Sequence, residues 1–243
     1  RPPARGRAGR PVSVATADLA ALLQLASPAL PIGGYSYSTG LEWGVESGAV
    51  RDVDGARAWI ADALALSLAS FEGPLMRDAM RAARALPDDA ALASLAALNA
   101  EALAARETAE LRLESEQMGF SLGRWLEAVC PDAAVDAALA ARIPQLALPV
   151  AWAVAAVRLN LAERDALLGL FWTFAENQAM VLMKAVPMGQ IAAQRLLRAL
   201  TPDLVAAVER AMDLEPADRS SAAPGLAIAS ARHETQYSRL FRS

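Results

Sequence analysis

The sequence predicts an all-α fold, a single-domain bundle of about ten helices with a C-terminal tail that gains order on binding. Alanine and leucine dominate the 243 residues and β-branched runs are few, a composition that favours helix. From residue 16 to residue 214 apolar side chains recur at helical spacing, and proline, glycine and capping residues fall between the runs. A chain of this length buries a substantial core.

The first segment, residues 1–15, sets Arg1, Arg5, Arg7 and Arg10 among Pro2, Pro3, Gly6, Gly9 and Pro11, which reads as a flexible leader rather than a binding arm. It carries no apolar stretch of the kind a secretion signal needs. The net charge of −4 leaves no basic stripe for phosphates, so nucleic acid is excluded as a partner. Cys130 is the single cysteine, which rules out an internal disulfide and fits a reducing compartment. The longest wholly apolar run, Leu146 to Val157, is well short of the roughly twenty residues a membrane span requires and contains Pro149. The expectation is a cytoplasmic protein with no membrane partner.

Thr16 or Asp18 suits the start of a helix running to Ala26, with Leu19, Leu22, Leu23 and Leu25 turned largely inward. The densest turn chemistry follows, in SPALPIGGYSYSTGLEWGVESG, residues 27–48. Pro28 and Pro31 hold their predecessors extended, Gly33 and Gly34 open backbone conformations closed to other residues, and a stiff loop results. Thr39 and Glu42 fit a capping box for a short helix holding Leu41, Trp43 and Val45 and ending near Gly48. The loop displays Tyr35, Ser36, Tyr37 and Ser38, a polar and aromatic run suited to a protein partner. It equally suits a plain corner between helices, and composition does not separate the two.

Asp54 is the next predicted cap, for a helix through Trp59, Ile60 and Leu64 that Gly73-Pro74 interrupts; Pro74 then opens another helix that stops before Pro87. Asp88-Asp89 starts a long alanine-rich helix. With no second acidic motif, the pair gives no support to a magnesium-binding aspartate cluster of the helical prenyl-transfer enzymes. Arg106, Glu107, Glu110, Arg112, Glu114 and Glu116 alternate in sign at three- and four-residue spacing, either a solvated face with weak ion pairs or a stripe facing a partner. Gly119 follows, and Phe120 to Val129 returns to the core before Cys130-Pro131. Helices are then predicted over 132–142, 150–159 and 163–186, the last interrupted by Glu176, Asn177, Gln178 and Lys184. Pro187-Met188-Gly189-Gln190 bends this helix into the next, with Gln190 and Gln194 on one face, where amides suit the opening loop, a partner or plain solvent. Thr201-Pro202 starts a helix ending near Asp213.

Residues 215–243 divide into linker chemistry to Gly225 and a polar, aromatic tail without long periodicity. Tyr237, Leu240 and Phe241, spaced among Arg232, Glu234, Arg239 and Arg242, suit a segment that orders on a partner.

The chemistry these residues permit is narrow. His233 is the sole histidine and falls in the tail, so a serine–histidine triad has no base positioned for it. The glycine loop lacks the lysine of a phosphate-binding loop. One histidine and one cysteine, far apart, do not make a strong nickel or zinc site, and no cofactor is expected.

LLQLASPALPIGGYSYSTGLEWGVESG resembles the N-terminal signature of the UreF family of urease accessory proteins, and RHETQYSRLFRS resembles that family's tail. The charged helix leading to Gly119 and the PMGQ segment with Gln194 are similar more loosely. Met188, Ala193 and Ala231 depart from the usual leucine, glycine and methionine. The resemblance implies an all-helical homodimer that joins a D/H-type accessory protein and a G-type GTPase to insert nickel into apo-urease. It implies that Tyr35 and Arg239 order the tail and create the GTPase-docking surface, with Arg232, His233, Glu234, Tyr237 and Ser238 contacting the D/H-type partner. Assembly rather than bond chemistry is the implied work; regulation of the partner's GTP hydrolysis and direct nickel binding are the alternatives.

Overall fold

Four helix starts in this chain are fixed by short polar side chains that accept from early helical N–H groups. The Asp52 carboxylate accepts from Gly55 N–H at 2.8 Å and starts α3 (Val53–Ala63), two residues ahead of the expected Asp54. Asp88 caps α5 (Asp89–Ala104), Thr108 caps α6 (Ala109–Val129) and Asp132 caps α7 (Ala133–Arg142) in the same way. The computed structural model describes residues 15–186 and 188–243. Residues 1–14 of the expected leader, and Pro187 of the PMGQ bend, lie outside the described residues.

The remaining helices are α1 (Thr16–Leu25), α2 (Leu41–Glu46), α4 (Gly73–Ala83), α8 (Leu148–Arg158), α9 (Glu163–Ala185), α10 (Gln190–Ala199), α11 (Thr201–Asp213) and α12 (Pro224–His233). Among the described residues there is no strand. The alanine-rich α8 is buried from Pro149 to Ala156 and forms the axis of the bundle, with α4 and α6 packed closely along it and α5 and α9 beside them. Small side chains on α8 let its neighbours approach, and α6 answers with Gly119. A Cβ there would lie 2.0 Å from the Leu146 carbonyl oxygen, so Gly119 marks a crossing that no larger residue fits.

Gly73-Pro74 does not interrupt the chain as expected. Residues Leu64–Glu72 form a π-helical segment that joins α3 to α4 without a break. The wider π turn gives room for a proline ring that would strike the carbonyl four residues earlier in a regular helix. That carbonyl, on Ser70, loses the N–H that proline lacks and instead accepts from Ser220 N–H at 3.0 Å. The linker is thereby stitched to the body, and Arg219 adds bonds of 3.0 Å to both Asp78 and Glu101. The buried Arg77 donates to the Ala211 and Met212 carbonyls at 2.9 and 2.7 Å, closing the C-terminus of α11.

One further expectation changes. Leu25 is buried and Leu22 packs against Gly169 of α9, but Leu19 and Leu23 are exposed because α1 lies at the edge, packed chiefly against α9. The long α9 has the length and apolar content of a membrane span, yet 56% of its most apolar window is buried inside this chain, as for a core helix.

Gly119→Ala is expected to cost about 3 kcal/mol or more, because the backbone of Leu146 and Ala147 must move to admit one methyl group. Denaturant unfolding of the variant beside the wild type measures it.

Candidate functional site: a buried clasp between the opening loop and the tail

The opening loop turns through Gly33, with φ of 75°, into a single 3-10 turn over Gly34–Ser36, and enters α2 through Thr39 and Gly40. Gly40 has φ of 78°, and a Cβ on it would meet Ala229 and Ser230 of α12 at 3.2 Å. Thr39 holds a φ of 52°, a strained conformation for a β-branched residue. Its hydroxyl donates to Glu114 at 3.2 Å instead of capping α2, so the expected capping box is not made.

Glu42, freed from capping, is buried and faces the tail. One carboxylate oxygen accepts from Leu240 N–H at 2.7 Å; the other accepts from Phe241 N–H at 3.1 Å and lies 3.1 Å from His233 Nε2. His233, at 0% exposure, meets Glu110 at 2.7 Å through Nδ1. Arg239 donates to the second oxygen of Glu110 at 2.6 Å, so this carboxylate is held by a guanidinium as well as by the histidine ring. The Glu110 N–H is itself taken up by Glu234 at 3.2 Å.

A third carboxylate closes the end of the tail. Glu114 accepts from the Ser243 hydroxyl at 2.6 Å, and the Ser243 carbonyl accepts from Ser38 N–H at 2.7 Å and from the Ser38 hydroxyl. Burial pushes the Glu114 carboxyl up to about 6 from its ordinary 4.5, against the lowering effect of its bonds to Ser243 and Thr39 and of the Arg106 charge. Arg242 N–H donates to Ser36 carbonyl at 2.8 Å, and Tyr37 donates to Gln117 of α6. Lys184 of α9 sits 5.2 Å above the ring of the buried Phe241.

The loop is held from below by amides of α9. Asn177 donates to Tyr37 carbonyl at 2.9 Å and Gln178 to Ser38 carbonyl at 3.2 Å. The amides expected in this role, Gln190 and Gln194, are exposed on α10, and among the described residues neither bonds the loop. The tail, without periodicity in the sequence, lies folded on the chain's own body, its first part as α12. Among the described residues no group of three or more histidine, cysteine and acidic side chains has the geometry to hold a metal ion.

A family model described as UreF matches residues 50–201. The urease accessory protein UreF of Ectopseudomonas mendocina is 50% identical over 225 residues, covering 92% of this chain and 98% of that protein. Its counterpart from an Azoarcus species is 52% identical, covering 91% and 94%, and that of Dechloromonas aromatica 46%, covering 93% and 98%. The chain belongs to the UreF family. The matched span of the family model takes in Glu110, Glu114, Asn177 and Gln178 but neither the opening loop nor the tail.

Of the residues singled out in this UreF-family sequence, Tyr37, Ser38, Glu42 and His233 are buried and act on the tail rather than on solvent. Tyr35 and Ser36 are half-buried at the rim. Burial, with the Glu176 carboxyl nearby, holds the Tyr35 phenol above its usual range. Arg232, Glu234, Tyr237, Ser238 and Arg239 are exposed, Tyr237 fully. Sequence reasoning placed Glu110 and Glu114 only on a charged stripe; their i, i+4 spacing, which sets both on one helix face, was the available signal.

Glu42→Ala strips three donors of their acceptor, and breaking one side of such a buried pair costs about 3 kcal/mol. Hydrogen exchange at residues 240 and 241 is expected to accelerate about 100-fold, with the helical circular dichroism retained. A folded-state carboxyl value raised above the unfolded one means that the ionised Glu114 costs the fold stability above pH 6 and that stability rises as pH falls from 6 toward 4.5. Glu114→Gln is expected to remove this gain; the difference between wild-type and variant stability across pH 4.5–6 reads it.

Proposed function

We propose that this chain is the helical scaffold of a nickel-insertion assembly in the cytoplasm, bridging a D/H-type accessory protein and a G-type GTPase so that nickel reaches apo-urease. It acts as a homodimer, which offers each partner two equivalent surfaces. The observation that carries the reading is the clasp. Buried carboxylates fix the tail by its backbone and its basic side chains, leaving Tyr237 and Leu240 outward on a segment that would otherwise be mobile. Large side chains on a fixed backbone lose little entropy on binding and make good anchors.

Within this reading, Tyr35, Ser36 and Arg239 form the face toward the GTPase, while Arg232, Glu234, Tyr237 and Ser238 meet the D/H-type protein. His233 and Glu42 serve both by holding the segment in shape. Gln190 and Gln194 form a separate polar face on α10. Membership in a family of accessory proteins supports the assignment, as do the exposed aromatic and apolar side chains of the tail. Arg239 is engaged by Glu110, which suits an orienting role over direct action on bound GTP.

Arg239→Ala is expected to leave the helical fold and its melting temperature almost unchanged but to weaken GTPase recruitment at least tenfold, as one lost charge-assisted bond predicts. Co-purification with both partners measures it, and undiminished capture of the GTPase would overturn the assignment of Arg239.

A further inference from the structure

Behind the clasp, between the π segment, α6, α8 and α9, lies a cavity of about 80 Å³. One side is apolar, with Leu68, Trp152 and Phe174 in its wall; the other carries Glu72, Arg106, Glu114 and Asn177 with the hydroxyls of Thr39, Ser67 and Ser115. Arg106 pairs with Glu72 at 2.9 Å through its terminal nitrogen, and both side chains are close to nine-tenths buried. Among the described residues, however, Arg106 Nε has no partner, nor has Asn177 Oδ1.

We propose that this cavity is a built hydration site, holding a cluster of ordered waters that partner Arg106 Nε and Asn177 Oδ1 and solvate the inner side of Glu114. Three observations converge on water. A donor and an acceptor left unmatched in one wall need a ligand that both donates and accepts, which a halide or a metal ion cannot do. The volume exceeds several-fold the roughly 10–15 Å³ that one water requires, and the lining supplies carboxylates, hydroxyls and an amide as partners. The buried charges that border the space, Glu72 and Glu114 against Arg106, do not cancel within it, and a mobile dipole lowers the cost of their burial.

The π segment explains why the space exists. Its wide turn contributes Ser67, Leu68 and Glu72 to the lining, which Leu111 and Met118 of α6 complete. Glu114 links this space to the tail, since the carboxyl that borders the cavity also accepts from Thr39 and Ser243. The clasp's third carboxylate is then solvated from within, and the site supports the clasp whichever partner the tail serves.

The test uses crystals of the full chain, examined with and without pressurised xenon, and water-to-protein cross-relaxation measured by NMR at the Arg106 Nε–H in solution. The expected result is discrete water density within hydrogen-bond distance of Arg106 Nε and Asn177 Oδ1, no xenon in the cavity, and a direct cross-peak from water to the Nε–H. A xenon atom in an otherwise blank cavity would show a dry apolar void and overturn the proposal. So would an anomalous-scattering peak from a metal ion with short oxygen contacts, or a missing cross-peak combined with blank density.

Discussion

A carboxylate taken out of water must be given donors, and the Glu42 carboxylate is given them by the tail. Two backbone N–H groups and a histidine ring converge on its two oxygens. If the tail departs, water takes their place, so the gross strength of these bonds largely cancels and the net preference for the docked state is modest. Such an element is ordered but exchangeable. The second and third carboxylates, on one face of α6, extend the same exchange along the whole segment from His233 to Ser243. Strain at Thr39 and the left-handed Gly40 belong to this constraint too, since both bend the loop so that Glu42 points at the tail instead of at its own helix.

Much of the bundle was legible in the sequence because its cues are local. Asp88 and Asp132 cap where an aspartate before an apolar-periodic run should, and Pro131 and Gly48 stand where helices stop. Gly73-Pro74 misled because its cue is local and its resolution is not. A π turn and an N–H from Ser220, about 150 residues on, absorb the missing donor, and no window of sequence holds both. Leu19 and Leu23 misled for a related reason, since periodicity names a face but cannot say whether a helix has one neighbour or two.

The site was legible in its parts rather than in its pairings. The opening loop and the tail both stood out, one by turn chemistry and the other by resemblance, yet Thr39 and Glu42 satisfied a local pattern so well that their long-range partners were hidden. His233 looked like a surface contact because a lone histidine in an aperiodic segment carries no sign of burial. The amides that support the loop, Asn177 and Gln178, appeared only as polar breaks in an apolar helix. Their meaning came from the Tyr37 and Ser38 carbonyls that a glycine-rich loop leaves unpaired.

The clasp joins positions some 200 residues apart, Ser38 to Ser243 and Glu42 to Leu240. Contacts of such sequence separation repay their loop-closure entropy only after the intervening helices have collapsed. During synthesis the helices between are made before the tail, so the bundle assembles around an unfilled slot, and Glu42 stays in contact with water until Leu240 and Phe241 reach it. The direction of synthesis thus acts as a check on assembly, since the clasp closes only over helices that have already packed.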